Sequence, residues 1–245
     1  MEKTIRIHDK FYLKENNYEK PKQIHTLICK LTKRSLNNSK NFNGTIVDFG
    51  SGNGELLFNL QKTFPKAKLN GIEINKSLVK MSSNKLKKNN IKIFSGSVLN
   101  KRILKNNITD VSVSCGVLPI FDDYKLYLNN LIKFTKKKGK IFIASLFNNF
   151  PIDVYIKYQR SKDYKKNFLE SGWNIFSKKT ILKFLKKNKK IKKVYYKDFQ
   201  LRKNLEKNVN DPVRSWTFRN KNGKLITTNG LSLILPTSIL CIELK

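Results

Sequence analysis

Residues 45–55 read Thr45-Ile-Val-Asp-Phe-Gly-Ser-Gly-Asn-Gly-Glu55, and this stretch decides the fold. An apolar run, Thr45 to Phe49, ends in glycines at every second position: Gly50, Gly52 and Gly54. Glu55-Leu-Leu-Phe-Asn-Leu60 then takes up helical spacing. Strand, glycine turn and helix, in that order, let a backbone come close to a nucleotide ligand. Glycine tolerates the positive φ angles of such a turn and puts no Cβ in the ligand's way. The helix that follows offers free N–H groups at its start.

The spacing separates two ligand classes. Dinucleotide sites use G-x-G-x-x-G, with a pyrophosphate on the helix N-terminus. Here the spacing is G-x-G-x-G, and Asp48 stands two residues before the first glycine. An acid at that place suits a cationic ligand better than a pyrophosphate, because like charges at close range are costly. Asp48-Phe-Gly50-Ser51-Gly52-Asn-Gly54 resembles the first motif of the class I S-adenosylmethionine-dependent methyltransferases, D/E-x-G-x-G-x-G, at every defined position.

The resemblance covers residues 42 to 147 and, loosely, the C-terminal strands. It implies an α/β fold: a seven-stranded, mostly parallel, doubly wound sheet of the Rossmann-like methyltransferase kind. An inserted aromatic-rich cap and a C-terminal antiparallel hairpin would be added to it. The organisation expected is an N-terminal helical segment (1–40), a cofactor-binding core (41–147), an inserted cap or acceptor segment with a basic helix (148–190), and C-terminal strands completing the sheet (191–245). The cofactor implied is S-adenosyl-L-methionine.

The rest of the core follows in order. Pro21 suits the first turn of a helix through Ile24, Leu27, Ile28 and Leu31. In the family, such an N-terminal segment often folds over the cofactor. A helix is expected from about Gly52 to Phe64, before Pro65. The second strand, Ala67 to Ile74, carries Glu73 at its end, 23 residues after Gly50. An acid there accepts hydrogen bonds from both ribose hydroxyls. A Lys- and Ser-rich helix (76–89) and a short strand (91–94) lead to Ser97 and Val98. The resemblance implies that Gly50, Ser51, Gly52 and Gly54 admit the cofactor and that Asp48 orients its ammonium end. It also implies that Ile74 and Val98 sandwich the adenine. Ser97 stands where the family often has an acid on the adenine amino group.

The fourth strand, Asp110 to Ser114, runs into Cys115-Gly-Val-Leu-Pro. Amino-group methyltransferases commonly carry D/N-P-P-Y/F here, and this chain does not. The segment is similar to the small-molecule branch, which implies Ser114 near the methionine chain. A helix (123–135), a turn at Lys136 to Gly139 and a fifth strand (140–147) complete the core.

Residues 148 to 177 hold Phe150, Tyr155, Tyr158, Tyr164, Phe168, Trp173 and Phe176. They read either as an acceptor lid, with Arg160 for an anionic group, or as a helical cap that buries its own aromatics. A basic helix (178–189) and a sixth strand (191–200) follow. Arg214 to Arg219 and Lys224 to Thr228 flank Asn220-Lys-Asn-Gly223 as a hairpin. Ser238 to Glu243 fits the closing antiparallel strand. Asp211-Pro-Val-Arg-Ser-Trp-Thr, with Asn229-Gly-Leu and Leu235-Pro, resembles the tail of bacterial methyltransferases of surface-polysaccharide and other small-molecule pathways. His8, His25, Asp153, Asp163 and Asp211 are the candidate general bases, and none stands out from sequence.

Charge bounds the partners. The net charge is +34, yet only seven of the 51 basic residues are Arg, and Asn occurs 29 times. Nucleic-acid readers draw heavily on Arg. A Lys-, Asn- and Ile-rich chain is also what an AT-rich genome produces, so both compositional drift and an anionic partner remain open. Between Lys178 and Lys203 there are 12 basic residues and one acid, Asp198. That stretch is a solvated face or a site for RNA or an anionic membrane surface. Cys29, Cys115 and Cys241 lack metal spacing and read as reduced thiols of a cytoplasmic protein. Met1 to Lys10 lacks a signal-peptide core, and Leu231 to Leu244 is too short to span a membrane. The expected activity is methyl transfer to a small-molecule acceptor such as a sugar or other surface-glycan precursor. An RNA methyltransferase and a non-catalytic binding module on the same scaffold are the alternatives.

Overall fold

The computed structural model describes residues 7–36, 40–161 and 169–245. Asp163, Tyr164 and Phe168 lie outside them. A 3-10 turn (Ile7–Lys14) precedes helix α1 (Gln23–Ser35). The core then alternates β1 (Thr45–Phe49), α2 (Glu55–Thr63), β2 (Lys68–Glu73), α3 (Lys76–Leu86), β3 (Lys92–Ser95), β4 (Thr109–Cys115), α4 (Tyr124–Phe134) and β5 (Thr135–Asn148). Short strands β6 (Lys157–Tyr158), β7 (Glu170–Ser171) and β8 (Phe176–Ser177) lead to α5 (Lys178–Lys186) and β9 (Ile191–Asp198). The chain ends in hairpin β10 (Trp216–Arg219) and β11 (Leu225–Thr228), then β12 (Thr237–Leu244).

The main sheet has the order β3-β2-β1-β4-β5-β12-β9, with β8 pairing the end of β5. Strands β1 to β5 are parallel to their neighbours, and β12 is antiparallel to both β5 and β9. This is the expected seven-strand path, plus the short β8. The order reverses between β1 and β4, and a ligand crevice forms at such a switch point, at the carboxyl ends of the strands.

Period-two alternation splits the strands between two buried layers. Val47, Ile141, Ile143, Leu240 and Ile242 face a core closed by Leu128 and Leu131 of α4 and by Ile181 and Leu185 of α5. Ile46, Val111, Val113, Phe142 and Cys241 face the other layer, closed by Ile28 of α1 and by Leu57 and Leu60 of α2. The starts of α3, α4 and α5 are capped by side chains. Asn75 Oδ1 accepts from the N–H groups of Ser77 and Leu78, and Asp123 and Ser177 do the same for α4 and α5.

Two expectations change in detail. Lys136 to Gly139 is a bulge inside a longer strand, where the β4–β5 pairing jumps from Thr109–Thr135 to Val111–Lys140. The described residues of the aromatic insertion form short strands and loops, apart from a 3-10 position at Ser161. β6 pairs β7, Val154 bridges Ile175, and β8 joins β5, so the segment is stapled to the sheet by backbone bonds. Phe176 packs into the main core against Tyr124, whereas Phe150 is 70% exposed.

The basic stretch divides between α5 and β9. α5 buries Ile181 and Leu185 and turns Lys179, Lys183 and Lys186 outward. β9 is the sheet's edge, where exposed Lys192, Lys193 and Lys197 oppose pairing with another chain. No described helix is long and apolar enough to cross a membrane. The three cysteines are free thiols.

Candidate active site

The turn after β1 is tied to the end of β2. Gly50 N and Ser51 N donate to Ile72 O at 2.7 and 3.0 Å, and Gly52 N donates to Glu73 Oε2 at 2.8 Å. Glu73 Oε1 accepts from Asn75 N at 2.8 Å. A carboxylate has about four acceptor sites, so Glu73 keeps capacity for a hydroxyl donor beyond these backbone bonds. Burial raises its pKa, while these backbone donors pull the other way.

A cavity of about 240 Å³ opens over this turn. Eight of the ten expected site residues line it: Asp48, Gly50, Ser51, Gly52, Glu73, Ile74, Ser97 and Val98. Gly52 has φ +56°, and a Cβ there would meet no atom within 4 Å. The backbone is therefore bare toward the cavity. Ser97 Oγ already accepts from Leu99 N at 3.1 Å, which leaves its hydroxyl proton to donate.

Gly54 and Ser114 do not line this cavity. A Cβ on Gly54 (φ +85°) would stand 2.4 Å from Leu86 Cδ1, so this glycine serves the contact between α2 and α3. Ser114 is fully buried, and its Oγ donates to Phe49 O at 2.6 Å, joining the ends of β4 and β1. The next residues, Cys115 and Gly116, line the cavity instead. Gly116 has φ +74° and open space at its Cβ position. The sequence signal for this was the Cys-Gly pair at the end of β4.

The cavity is acidic in a basic protein. Asp9, Asp48, Glu55 and Glu73 line it, with Lys22 as the counter-charge. Asp48 is 2% exposed, and its Oδ1 has no hydrogen-bond partner. Burial, with a contribution from Glu73, pushes its pKa up to about 8. An orphaned buried carboxylate on a cavity wall fits a cationic ligand, and a bare glycine turn fits one that approaches the backbone closely. S-adenosylmethionine has both requirements, and Glu73 keeps capacity for a ribose hydroxyl.

Residues far from the motif complete the wall. Glu55 Oε1 accepts from Asn17 N at 2.6 Å and from Asn53 Nδ2 at 2.9 Å, and its Oε2 lies 3.6 Å from Lys22 Nζ. These contacts fasten the N-terminal segment over the cavity and place Tyr12, Lys22 and His25 on its wall. Burial opposes the Lys22 charge, but Glu15 and Glu55 outweigh it and its pKa lies above the ordinary value. His25 is held neutral, its pKa lowered to about 3 by burial and by Lys22.

A second chamber of about 890 Å³ adjoins the first. Tyr12, Lys22, Ile24, Cys115 and Gly116 line both. Its other walls come from the tail, through Leu201, Leu205, Arg214 and Leu235, and from Trp173 of the insertion. Arg214 Nη2 and Lys22 Nζ both pair with Glu15. His8 faces this chamber, with its Nδ1 2.7 Å from Asp211 Oδ2. Of the remaining base candidates, Asp153 accepts from Ser177 N at 2.6 Å, a structural bond, and Asp163 lies outside the described residues. No group of three or more described His, Cys, Asp or Glu residues is placed to hold a metal ion.

A family model described as a methyltransferase domain matches residues 40–208. The chain belongs to the methyltransferase-domain family. The cofactor of this family is S-adenosylmethionine. This methyltransferase-domain chain is 23% identical over 159 residues to the malonyl-[acyl-carrier protein] O-methyltransferase of Bacillus anthracis. That match spans 64% of this chain and 57% of the relative, which is less than two thirds of the relative's length. Two solved structures share the fold. The YcgJ protein of Bacillus subtilis has a TM-score of 0.54 at 12% identity, covering 90% of this chain and 99% of that one. The precorrin-6y C5,15-methyltransferase of Geobacter metallireducens has a TM-score of 0.53 at 12% identity, covering 99% and 98%.

Proposed function

We propose that the protein transfers the S-adenosylmethionine methyl group to an oxygen of a small molecule seated in the second chamber, a sugar or another surface-glycan precursor. The observation that carries this reading is the shared wall at Tyr12, Cys115 and Gly116. It sets a small acidic pocket directly beside a larger chamber. When bound, the cofactor supplies a methyl group already activated by its sulfonium charge. The chain's share is then binding, alignment and handling of the acceptor's proton.

In this reading Asp48 and Glu73 hold the two polar ends of the cofactor, and Ile74 and Val98 flank its base. The second chamber combines an apolar wall (Leu146, Leu201, Leu235), an aromatic face on Trp173, and cationic Lys20 and Lys203. Such a lining suits a ring-bearing acceptor that carries an anionic group. The Bacillus anthracis relative's name likewise specifies O-methyl transfer, although the acceptor it names is malonyl-[acyl-carrier protein].

The test is label transfer from methyl-labelled S-adenosylmethionine to a panel of sugars, sugar phosphates and sugar nucleotides, with structured RNA alongside. The expected result is saturable labelling of a member of the small-molecule set. Labelling of RNA alone would overturn the acceptor class. Cofactor binding without transfer to any compound would favour a non-catalytic binding module.

A further inference from the structure

We propose that His8 and Asp211 are the acceptor-activating dyad, with His8 Nε2 as general base for a hydroxyl acceptor and Tyr12 as the hydroxyl that relays its proton. The inference rests on the methyl-transfer reading above.

Three observations carry it. First, the pair is assembled from opposite ends of the chain: His8 lies in the N-terminal turn and Asp211 in the tail, with Nδ1 and Oδ2 2.7 Å apart. Both are buried, Asp211 completely and His8 to 4% exposure. The two atoms stand at ion-pair distance without the alignment of a hydrogen bond, and a buried carboxylate there favours a proton on the imidazole nitrogen that faces it. Second, the other ring nitrogen contacts a residue of the wall shared by the two chambers. His8 Nε2 is 3.3 Å from Tyr12 Oη, and Tyr12 lines both chambers. The imidazole is thus one hydrogen bond from the boundary where acceptor and methyl group would meet. Third, the ring is clamped edge-on by Trp173 of the insertion at 5.1 Å and by Tyr12 at 5.3 Å. A group held this way meets the positional demand on a general base. The titratable and charged groups that line this chamber with His8 are Tyr12, Glu15, Lys20, Lys22, Cys115, Lys203, Glu206 and Arg214, and Asp211 stands against the His8 ring.

The step balances as follows. The acceptor oxygen bonds to the methyl carbon while the carbon–sulfur bond breaks, and that electron pair stays on sulfur. The acceptor's proton moves to Tyr12 Oη as the tyrosine's own proton moves to His8 Nε2. The positive charge lost at sulfur reappears on the imidazolium, beside the Asp211 carboxylate. A carboxylate acceptor carries no proton and makes no use of the pair. The dyad therefore selects hydroxyl acceptors.

The experiment uses the full chain with 15N-labelled histidine. Only two histidines are present, so their ring nitrogens are resolved by long-range proton–nitrogen correlation. His25 is expected to remain neutral down to about pH 3. His8 is expected as the Nδ1–H tautomer at neutral pH, titrating on Nε2, and Asp211→Asn is expected to shift that tautomer balance. His8 in the Nε2–H form, or a spectrum unmoved by Asp211→Asn, overturns the proposal whichever acceptor is natural.

Kinetics provide the second arm. His8→Asn keeps an N–H where Nδ1 stands, so Asp211 is not left unpaired. This variant is expected to bind S-adenosylhomocysteine as the wild type does. It should lose about a hundredfold or more in kcat on a hydroxyl acceptor, with KM little changed. Tyr12→Phe should show the same split. Unchanged kcat in His8→Asn overturns the base assignment. Wild-type transfer to carboxylates alone overturns the hydroxyl selection. If the wild type fails to bind S-adenosylhomocysteine, the methyl-transfer reading falls, while the tautomer measurement still reports on the pair.

Discussion

At the scale of the residue, Asp48 is the most informative side chain. Its folded pKa of about 8 lies above the usual carboxylate value near 4, because burial disfavours the charged form. A raised acid binds its proton more tightly in the fold than in the unfolded chain. Its contribution to stability is therefore complete below about pH 4 and is lost as pH rises through about 8. Denaturation midpoints measured from pH 5 to 9 should fall with pH in the wild type, and this component should be absent in Asp48→Asn. A cationic cofactor favours the ionised form, so binding near pH 7 should release a proton. Affinity should then rise with pH up to about 8. Calorimetry in two buffers of different ionisation enthalpy measures the released proton, and Asp48→Asn should abolish it while weakening binding. Cys115 also lines the cavity, but burial pushes its thiol up to about 12, so it stays protonated.

The sequence made Asp48 and Glu73 legible because a strand end fixes where its side chain can stand. Ser114 is set apart from them: its neighbours Cys115 and Gly116 line the cavity, while its own hydroxyl bridges two strands. The sequence left His8 and Asp211 as separate candidates, since no local pattern reports a contact between residues more than 200 positions apart.

At the scale of the element, the three glycines of one motif separate into different roles. Gly52 is bare toward the cavity, whereas Gly54 holds α2 against Leu86 of α3. Gly54→Ala should cost roughly 1–3 kcal/mol of folding stability from backbone strain and overpacking, read from denaturant midpoints. Gly52→Ala should cost less stability and more cofactor affinity. Equal effects of the two on binding would contradict this division. The lysines of edge strand β9 belong to the same scale. Replacing Lys192, Lys193 and Lys197 by Thr should leave cofactor affinity unchanged but promote self-association, measurable by sedimentation. The core strands were legible from their apolar runs and glycine ends. The insertion was not, because strands two residues long have no period to detect, and their pairing is set by β5 and by each other.

At the scale of the whole molecule, the charge distribution matters more than its sum. The net charge is +34, yet four acids line one small cavity. A positive surface attracts anionic acceptors and is screened by salt over about 10 Å at 0.1 M. The KM of a phosphorylated acceptor should therefore rise with ionic strength, while that of an uncharged analogue should not. The acceptor chamber itself could not be read from sequence, because its wall is gathered from the N-terminal turn, the insertion and the tail, and closes only when the sheet brings them together.

The most direct test of the central claim is a calorimetric titration of the wild type and Gly52→Arg with S-adenosylhomocysteine, with NAD as the control ligand. The structure predicts micromolar binding of S-adenosylhomocysteine to the wild type, none of NAD, and none of either to a Gly52→Arg variant that still unfolds cooperatively. Equal binding by the wild type and the variant, or no binding by the wild type, would contradict the assignment of this cavity.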